Sequence, residues 1–225
     1  MRITILQGAF LPVPALRGGA VEKVWLALGR EFVRLGHEVC HVSRLCDDLP
    51  ADEIIDGVYH RRVPGFDAPE SLTRLKWYDL LFTRRAVAVL PDADLIVTNT
   101  FWAPVLVKPR HGRIWVHVQR YPRHQMNFYF RAAQLQAVST VIAQAIIKQA
   151  PRLASRVSVI PNPLPPVAKT PMAAKKDPNM ILFVGRVHPE KGLDLLISAN
   201  VVPRLISAWS DHGNASSVAA ASSIF

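Results

Sequence analysis

Residues 2–7 read RITILQ, residues 18–19 are Gly-Gly, and residues 21–36 run VEKVWLALGREFVRLG into HEVCHVS at 37–43. The first stretch is a short apolar run of strand length, read as a buried strand. In the second, Val21, Val24, Trp25, Leu28, Phe32 and Leu35 recur at three- and four-residue spacings, which gathers them on one face of a helix. Gly36 ends that helix as a left-handed C-terminal cap would. His37 and Glu38 then lead into a second strand over 39–43. Strand, loop, helix, strand is one right-handed βαβ unit, and it predicts a parallel sheet.

The alternation continues along the chain. Strands are expected at 58–63, 95–98, 114–118, 135–139 and 157–160, and helices at 73–90 and 140–150. Such repetition predicts an α/β fold with a doubly wound, Rossmann-like parallel sheet. Between residues 161 and 178 the composition shifts to six prolines among Ala and Lys, the pattern of a semi-rigid linker. A fresh apolar strand begins at Met180-Ile181-Leu182-Phe183-Val184, and a helix follows from near Glu190. From residue 200 onward the sequence offers no convincing strand and ends in a Ser/Ala-rich stretch. The expected organisation is a first domain over 1–165, a linker over 166–178, the start of a second domain over 179–199, and a tail over 200–225. The second domain is expected to be incomplete, since a parallel sheet needs several βαβ units of about 30 residues each.

The chain has 225 residues, half of them apolar, so a sizeable core is within reach. It contains no run of about 18 apolar residues, which argues against a spanning helix. Residues 1–10 enter the first strand directly rather than passing through a basic segment and a long apolar stretch, so no signal peptide is read there. Cys40 and Cys46 form no CxxC pair and have no nearby ligand set. They read as reduced structural thiols, and a cytoplasmic setting is expected. The net charge is +10 and unevenly placed: residues 95–176 hold twelve Lys and Arg and no Asp or Glu. A single-sign field of that kind attracts phosphates, anionic lipid surfaces or nucleic acid, and it is also compatible with a plain solvated surface. No nucleic-acid module motif accompanies it, so nucleic acid is not expected as a partner.

Four segments, taken together and in order, resemble family-4 glycosyltransferases of the GT-B type. They are Gly18-Gly19-Ala20-Val21-Glu22 with Leu35-Gly36-His37-Glu38-Val39; Ala137-Val138-Ser139; Val159-Ile160-Pro161-Asn162-Pro163; and Ile181-Leu182-Phe183-Val184-Gly185-Arg186 followed by Pro189-Glu190-Lys191-Gly192-Leu193-Asp194-Leu195-Leu196. The likeness covers roughly residues 1–199. It implies a GT-B fold and retaining transfer of a sugar from a nucleotide-sugar donor. The nucleotide-sugar is a substrate, and neither a cofactor nor a metal is implied.

Residue by residue, the resemblance places Gly18 and Gly19 at the donor diphosphate, and glycines before a helix N-terminus suit an anion physically. The alternative is a plain tight turn. The loop is not GxGxxG, which disfavours a dinucleotide cofactor. Glu22 is read as capping the helix start or ordering the loop. Arg186 and Lys191 would bind the donor diphosphate and stabilise its departure, a task for fixed cations beside helix amides. His117 ends a strand whose carboxyl end faces the ligand crevice. It is the catalytic-site candidate, orienting the acceptor or contacting a sugar hydroxyl, with a satisfied core histidine as the alternative. Asn99, Phe101 and Trp102 follow the preceding strand and are candidates to line an acceptor cleft or to pack in the core. Asn162 is read as shaping the crossover between domains. The Glu-x7-Glu element of the family's second domain has no counterpart after residue 199, where Asp211 is the only acidic residue. The likeness stops inside a helix, the pattern of an out-of-frame or degenerate end. Impaired transfer is therefore expected of this chain. The expected partners are a nucleotide-sugar, a phosphate-bearing, polysaccharide or lipid-linked glycan acceptor, and an anionic membrane surface. The competing expectation is a non-catalytic module that binds an acceptor or a membrane surface.

Overall fold

A computed structural model describes residues 1–46, 49–163, 180–185, 191–198, 204–208 and 218–219. It divides into two compact units, Met1–Ala15 with Gly19–Pro163, and Leu16–Gly18 with Leu164–Phe225.

The first unit is built on one eight-stranded sheet. Its strands are β1 (Arg2–Leu6), β2 (Glu38–Leu45), β3 (Asp52–Ile55), β4 (Val58–Pro64), β5 (Leu95–Thr98), β6 (Arg113–Val118), β7 (Gln134–Ala137) and β8 (Val157–Val159). They lie in the order β3-β4-β2-β1-β5-β6-β7-β8. Every neighbouring pair is parallel except β3 with β4. Counting outward from β1, the chain winds one way through β2 and β4 and the other way through β5 to β8. The direction reverses between β1 and β5, and ligands of open α/β sheets bind beyond the carboxyl ends of the strands at such a switch point.

The parallel alternation is as the sequence predicts. The antiparallel edge strand β3 is not, although its signal is present: Asp56-Gly57 joins β3 to β4 with φ of 51° and 80°, the two-residue turn that Asp-Gly favours because both central residues need positive φ.

The helices of this unit are α1 (Ala20–Arg34), α2 (Leu72–Ala88), α3 (Ala103–Leu106) and α4 (Thr140–Gln149). α1 lies flush on one face of the sheet because Gly29 replaces a side chain there: a Cβ at Gly29 would sit 3.4 Å from Ile5 and 3.6 Å from Val58. Ile3, Ile5, Trp25, Val39, Val58 and Val97 form the core under it. The opposite face packs a larger core of Leu6, Val42, Phe82, Ile96, Val116, Leu135 and Ile146 against α2 and α4. α1 ends as expected at Gly36, with φ of 83°. The Gly36 N–H donates to the Val33 carbonyl and the His37 N–H to the Phe32 carbonyl, which together satisfy the orphan carbonyls of the last turn. Leu35, expected on the buried face, is exposed because it sits in that cap, beyond the last full turn. Ser139 caps α4 by accepting from the Ile142 N–H.

In the second unit the described residues form β9 (Met180–Val184), α5 (Leu193–Ser198), β10 (Arg204–Ala208) and β11 (Val218–Ala219). β10 pairs parallel to β9, and β11 antiparallel to β10. Strands at 204–208 and 218–219 correct the expectation of a strandless tail. Leu205-Ile206 is too short an apolar run to stand out in the sequence, and β9 supplies the partner that makes it a strand.

Candidate functional site

The site is built where β1, β5 and β6 end. Leu6 pairs with Thr98, and Thr98 with Val116, so Gln7, Asn99 and His117 stand one step further along the same row. Gln136 continues the row, since His117 pairs with it directly. Four polar residues therefore follow the apolar strand bodies at the edge where the sheet reverses direction.

His117 is 2% exposed and fully engaged. The Trp25 indole N–H, reaching across from α1, donates to His117 Nδ1 at 2.9 Å. The Gln119 amide nitrogen approaches the same Nδ1 at 2.9 Å. Indole Nε1 is a donor only, so Nδ1 carries no proton and the ring is the Nε2–H tautomer. Nε2–H then donates to Asn162 Oδ1 at 3.0 Å. The Trp25 ring meets His117 edge-on, with centroids 5.3 Å apart. Burial pushes the His117 pKa down, against a smaller raising effect of the Asn162 hydrogen bond. The result is a neutral imidazole held on both nitrogens. Asn162 belongs to this network, and Gln136 fastens the same loop by donating to the Ile160 carbonyl at 3.0 Å. That arrangement accounts for Asn162 as a shaping residue of the segment leaving β8.

Asn99 is half-buried, and its Oδ1 is buried without a hydrogen-bond partner, as is Gln7 Oε1. Trp102 donates its indole N–H to the Lys76 carbonyl of α2 at 2.9 Å. The loop between them is fixed from below: the buried Asp79 carboxylate accepts from the backbone N–H groups of Phe101 and Trp102, and burial raises its pKa to about 6. The Asp92-Ala93-Asp94 triplet lies before β5, at the opposite end of the strands from His117, and Asp94 accepts from the Arg2 backbone N–H at 2.8 Å.

At the start of α1, Gly18 and Gly19 have φ of 80° and 107°. At Gly19 that φ strains any other residue, and a Cβ there would fall 2.2 Å from Glu22 Oε2, displacing that carboxylate. The Glu22 carboxylate accepts from its own backbone N–H, one of the free amides of the first turn. It is buried against Gly19, and that burial is the larger effect on its pKa, which is raised. Glu22 thus serves both the helix start and the order of the loop. Lys191 is exposed, two residues before α5. Arg186 lies outside the described residues, and so does the expected pairing of Arg186 with Lys191. Among the described residues there is no group of three or more His, Cys, Asp or Glu that could hold a metal ion, and no helix long and apolar enough to cross a membrane.

The residues that sequence reading missed are Trp25, Gln7 and Gln119. Trp25 reads simply as part of the apolar stripe, yet a buried indole N–H needs an acceptor, and that need was the available signal.

The mostly parallel α/β sheet with its flanking helices is the fold of GT-B glycosyltransferase structures. The apo lipopolysaccharide outer core galactosyltransferase WaaB aligns with a TM-score of 0.54 at 16% identity, covering 91% of this chain and 60% of its own. The catalytic domain of starch synthase IV from Arabidopsis thaliana, bound to ADP and acarbose, aligns at 0.60 and 13%, covering 91% and 67%. Sucrose-phosphate synthase from Thermosynechococcus elongatus aligns at 0.65 and 16%, covering 92% and 61%. The chain belongs to glycosyltransferase family 4, whose model matches residues 17–166. Comparison with characterised protein sequences gives no match. The chain spans about 60% of the WaaB and sucrose-phosphate synthase chains it aligns with.

Proposed function

We propose that the chain carries the acceptor side of a retaining glycosyltransferase. The reaction moves a hexose from a nucleotide-sugar to a polysaccharide or to a phosphate-bearing, lipid-linked glycan. The observation that carries this reading is His117: a neutral imidazole of fixed tautomer at the carboxyl edge of the strands, one row position from the unpartnered Asn99 Oδ1. In this reading Nε2–H is the donor offered to a sugar hydroxyl once it exchanges Asn162 for the ligand. Asn99 and Trp102 line the acceptor side. Gly18, Gly19, Arg186 and Lys191 receive the diphosphate, whose leaving charge the two cations stabilise. The nucleotide-sugar is the substrate and no further cofactor or metal takes part. The setting is cytoplasmic, with the protein peripheral on the inner membrane face. Transfer by this chain alone is little or none, because the residues that would select base and sugar have no counterpart in it.

A second reading, a module that holds an acceptor or a membrane surface without transferring a sugar, is supported by the acid-free basic stretch over residues 95–176. Thermal melting with UDP-, GDP- and ADP-sugars separates the two, together with assay of nucleotide release. The first reading expects stabilisation by one nucleotide class, lost in Arg186→Ala and Lys191→Ala. Absence of any response to all three, with surface binding retained, would favour the second.

A further inference from the structure

The loop joining β6 to β7 holds apolar rings in water and does so by construction. Its 3-10 turn Met126–Tyr129 is pinned from within: Met126, Tyr129 and Ala132 are at most 3% exposed, and the Tyr129 hydroxyl donates to the Phe101 carbonyl at 3.1 Å. The same loop leaves Tyr121, Phe128 and Phe130 facing solvent, at 63%, 58% and 52% exposure. Two guanidinium groups hold its backbone from the side. Arg152 donates to the Asn127 carbonyl at 2.7 Å, and Arg156 to the Phe130 and Ala132 carbonyls at 2.9 and 3.0 Å. Arg120, Arg123 and Arg131 are exposed along the same loop, and the Arg131 guanidinium lies 5.4 Å from the Phe130 ring centroid. The loop sits within the stretch of sequence, residues 95–176, that contains no carboxylate side chain.

We infer that this loop is a docking surface for an anionic phospholipid bilayer, with Tyr121, Phe128 and Phe130 seated at the headgroup level and Arg120, Arg123 and Arg131 on lipid phosphates. The inference rests on the membrane-surface part of the reading above and is independent of sugar transfer. Charge complementarity selects the occupant. An acid-free basic rim repels a second copy of itself and attracts an anionic leaflet, where each arginine near the surface strengthens binding about fivefold. Aromatic rings with one apolar face are stable at the membrane interface. A rigid turn presents them without the ordering cost that a floppy loop would incur.

Co-sedimentation of the full chain with phosphatidylcholine vesicles, with and without phosphatidylglycerol, tests the inference. Binding is expected to require phosphatidylglycerol and to fall steeply toward about 1 M salt, where the Debye length is about 3 Å. Arg123→Gln/Arg131→Gln should weaken it by roughly 20-fold or more, and Phe128→Ser/Phe130→Ser by at least about tenfold. Both variants change exposed side chains, so melting temperatures near the parent's are expected and would show that folding is intact. Arg34→Gln/Arg84→Gln removes two exposed charges elsewhere and should leave binding within about threefold. The inference is overturned if the chain binds both vesicle types equally or neither, or if the control pair weakens binding as much as the loop pair. It is likewise overturned if light scattering shows a dimer that Phe128→Ser/Phe130→Ser dissolves. Nucleotide-sugar binding that survives the loss of vesicle binding would leave the transferase reading standing.

Discussion

Around β2 and β4 arginines meet carboxylates as well as backbone carbonyls, whereas around β7 and β8 they meet backbone carbonyls or solvent. Arg61 meets Asp52, Arg62 meets Glu53, Arg44 meets Asp67 and Arg30 meets Asp56. On the other side, among the described residues, Arg152 and Arg156 have only carbonyl partners, and that part of the sequence supplies no acid. Both halves use the guanidinium fork to fasten loops to the sheet. Only the first neutralises the charge in doing so. The second keeps its positive field for whatever approaches from outside, which is why the unneutralised half is the one read as a surface for phosphates. Within the first half the arginines are structural, and their removal should be read out as stability.

The largest effect is expected at Arg62. Its side chain is fully buried, and it donates to the Val13 carbonyl twice, at 3.0 and 2.9 Å, and to the Pro50 carbonyl at 2.7 Å, beside the Glu53 carboxylate. Arg62→Met leaves those acceptors and the carboxylate without their donor. A loss of about 3–5 kcal/mol in urea denaturation is expected. Arg62→Met/Glu53→Gln should recover part of it by removing the stranded charge. A loss under about 1 kcal/mol in the single variant would mean that water replaces the guanidinium there, and the contrast between the two halves would lose its strongest member.

Next to Arg62 the same half contains a feature that sharpens the comparison with the candidate site. His41 and His60 are both 0% exposed and stacked, with centroids 5.3 Å apart, and among the described residues none of their four ring nitrogens has a hydrogen-bond partner. His117, two positions further along the strands on the same face, has both nitrogens engaged. Burial lowers the pKa of each stacked ring: His41 falls well below its ordinary value, helped by His60 and Arg62, and His60 falls to about 4. Arg62 and Arg30 push His60 down while Glu53 and Asp56 push it up. A histidine whose folded pKa is depressed is protonated more readily in the unfolded chain. Stability is then complete above about pH 6.5 and is lost as pH falls from there toward 4. His60 alone is expected to account for a loss of about 2–3 kcal/mol across that window, and His41 adds to it, seen by denaturation at a series of pH values. His41→Leu/His60→Leu should flatten it. An unchanged slope in that variant would show that other groups carry the acid sensitivity.

The sequence exposes those parts of the molecule that local pattern determines. The strands of the parallel sheet, the stripe of α1 and the Gly36 cap all follow from spacing within a few residues. β10 does not, because it depends on pairing with a strand more than twenty positions away. The network on His117 is less legible still. Trp25 and His117 are 92 residues apart, and nothing near either one shows that an indole N–H and an imidazole nitrogen will share a bond. Position at a strand end pointed to His117. It could not show that the ring is engaged on both sides, nor that Glu22 lies against Gly19. β3 stands apart, since its Asp56-Gly57 turn was readable all along.

The smallest effects come from comparing one arginine of each kind at the surface. Arg30 meets Asp56 at 2.7 Å, with the two side chains 46% and 57% exposed. In that setting two solvated ions gain little Coulomb energy and lose side-chain freedom, so Arg30→Gln should cost less than about 0.5 kcal/mol. Arg156 donates to two carbonyls that end the β6–β7 loop, one of the bonds part-buried. Removing a charged donor from two backbone acceptors should cost about 1 kcal/mol more than that. The comparison is made at low and high salt. Screening should erase what remains of the Arg30 effect and leave most of the Arg156 effect, because the latter depends on hydrogen-bond geometry at short range rather than on a solvated ion pair. Equal costs for the two variants at both salt concentrations would mean that the carbonyl-bound arginines fasten nothing. The acid-free half would then be held by packing alone, and its arginines would be surface charge.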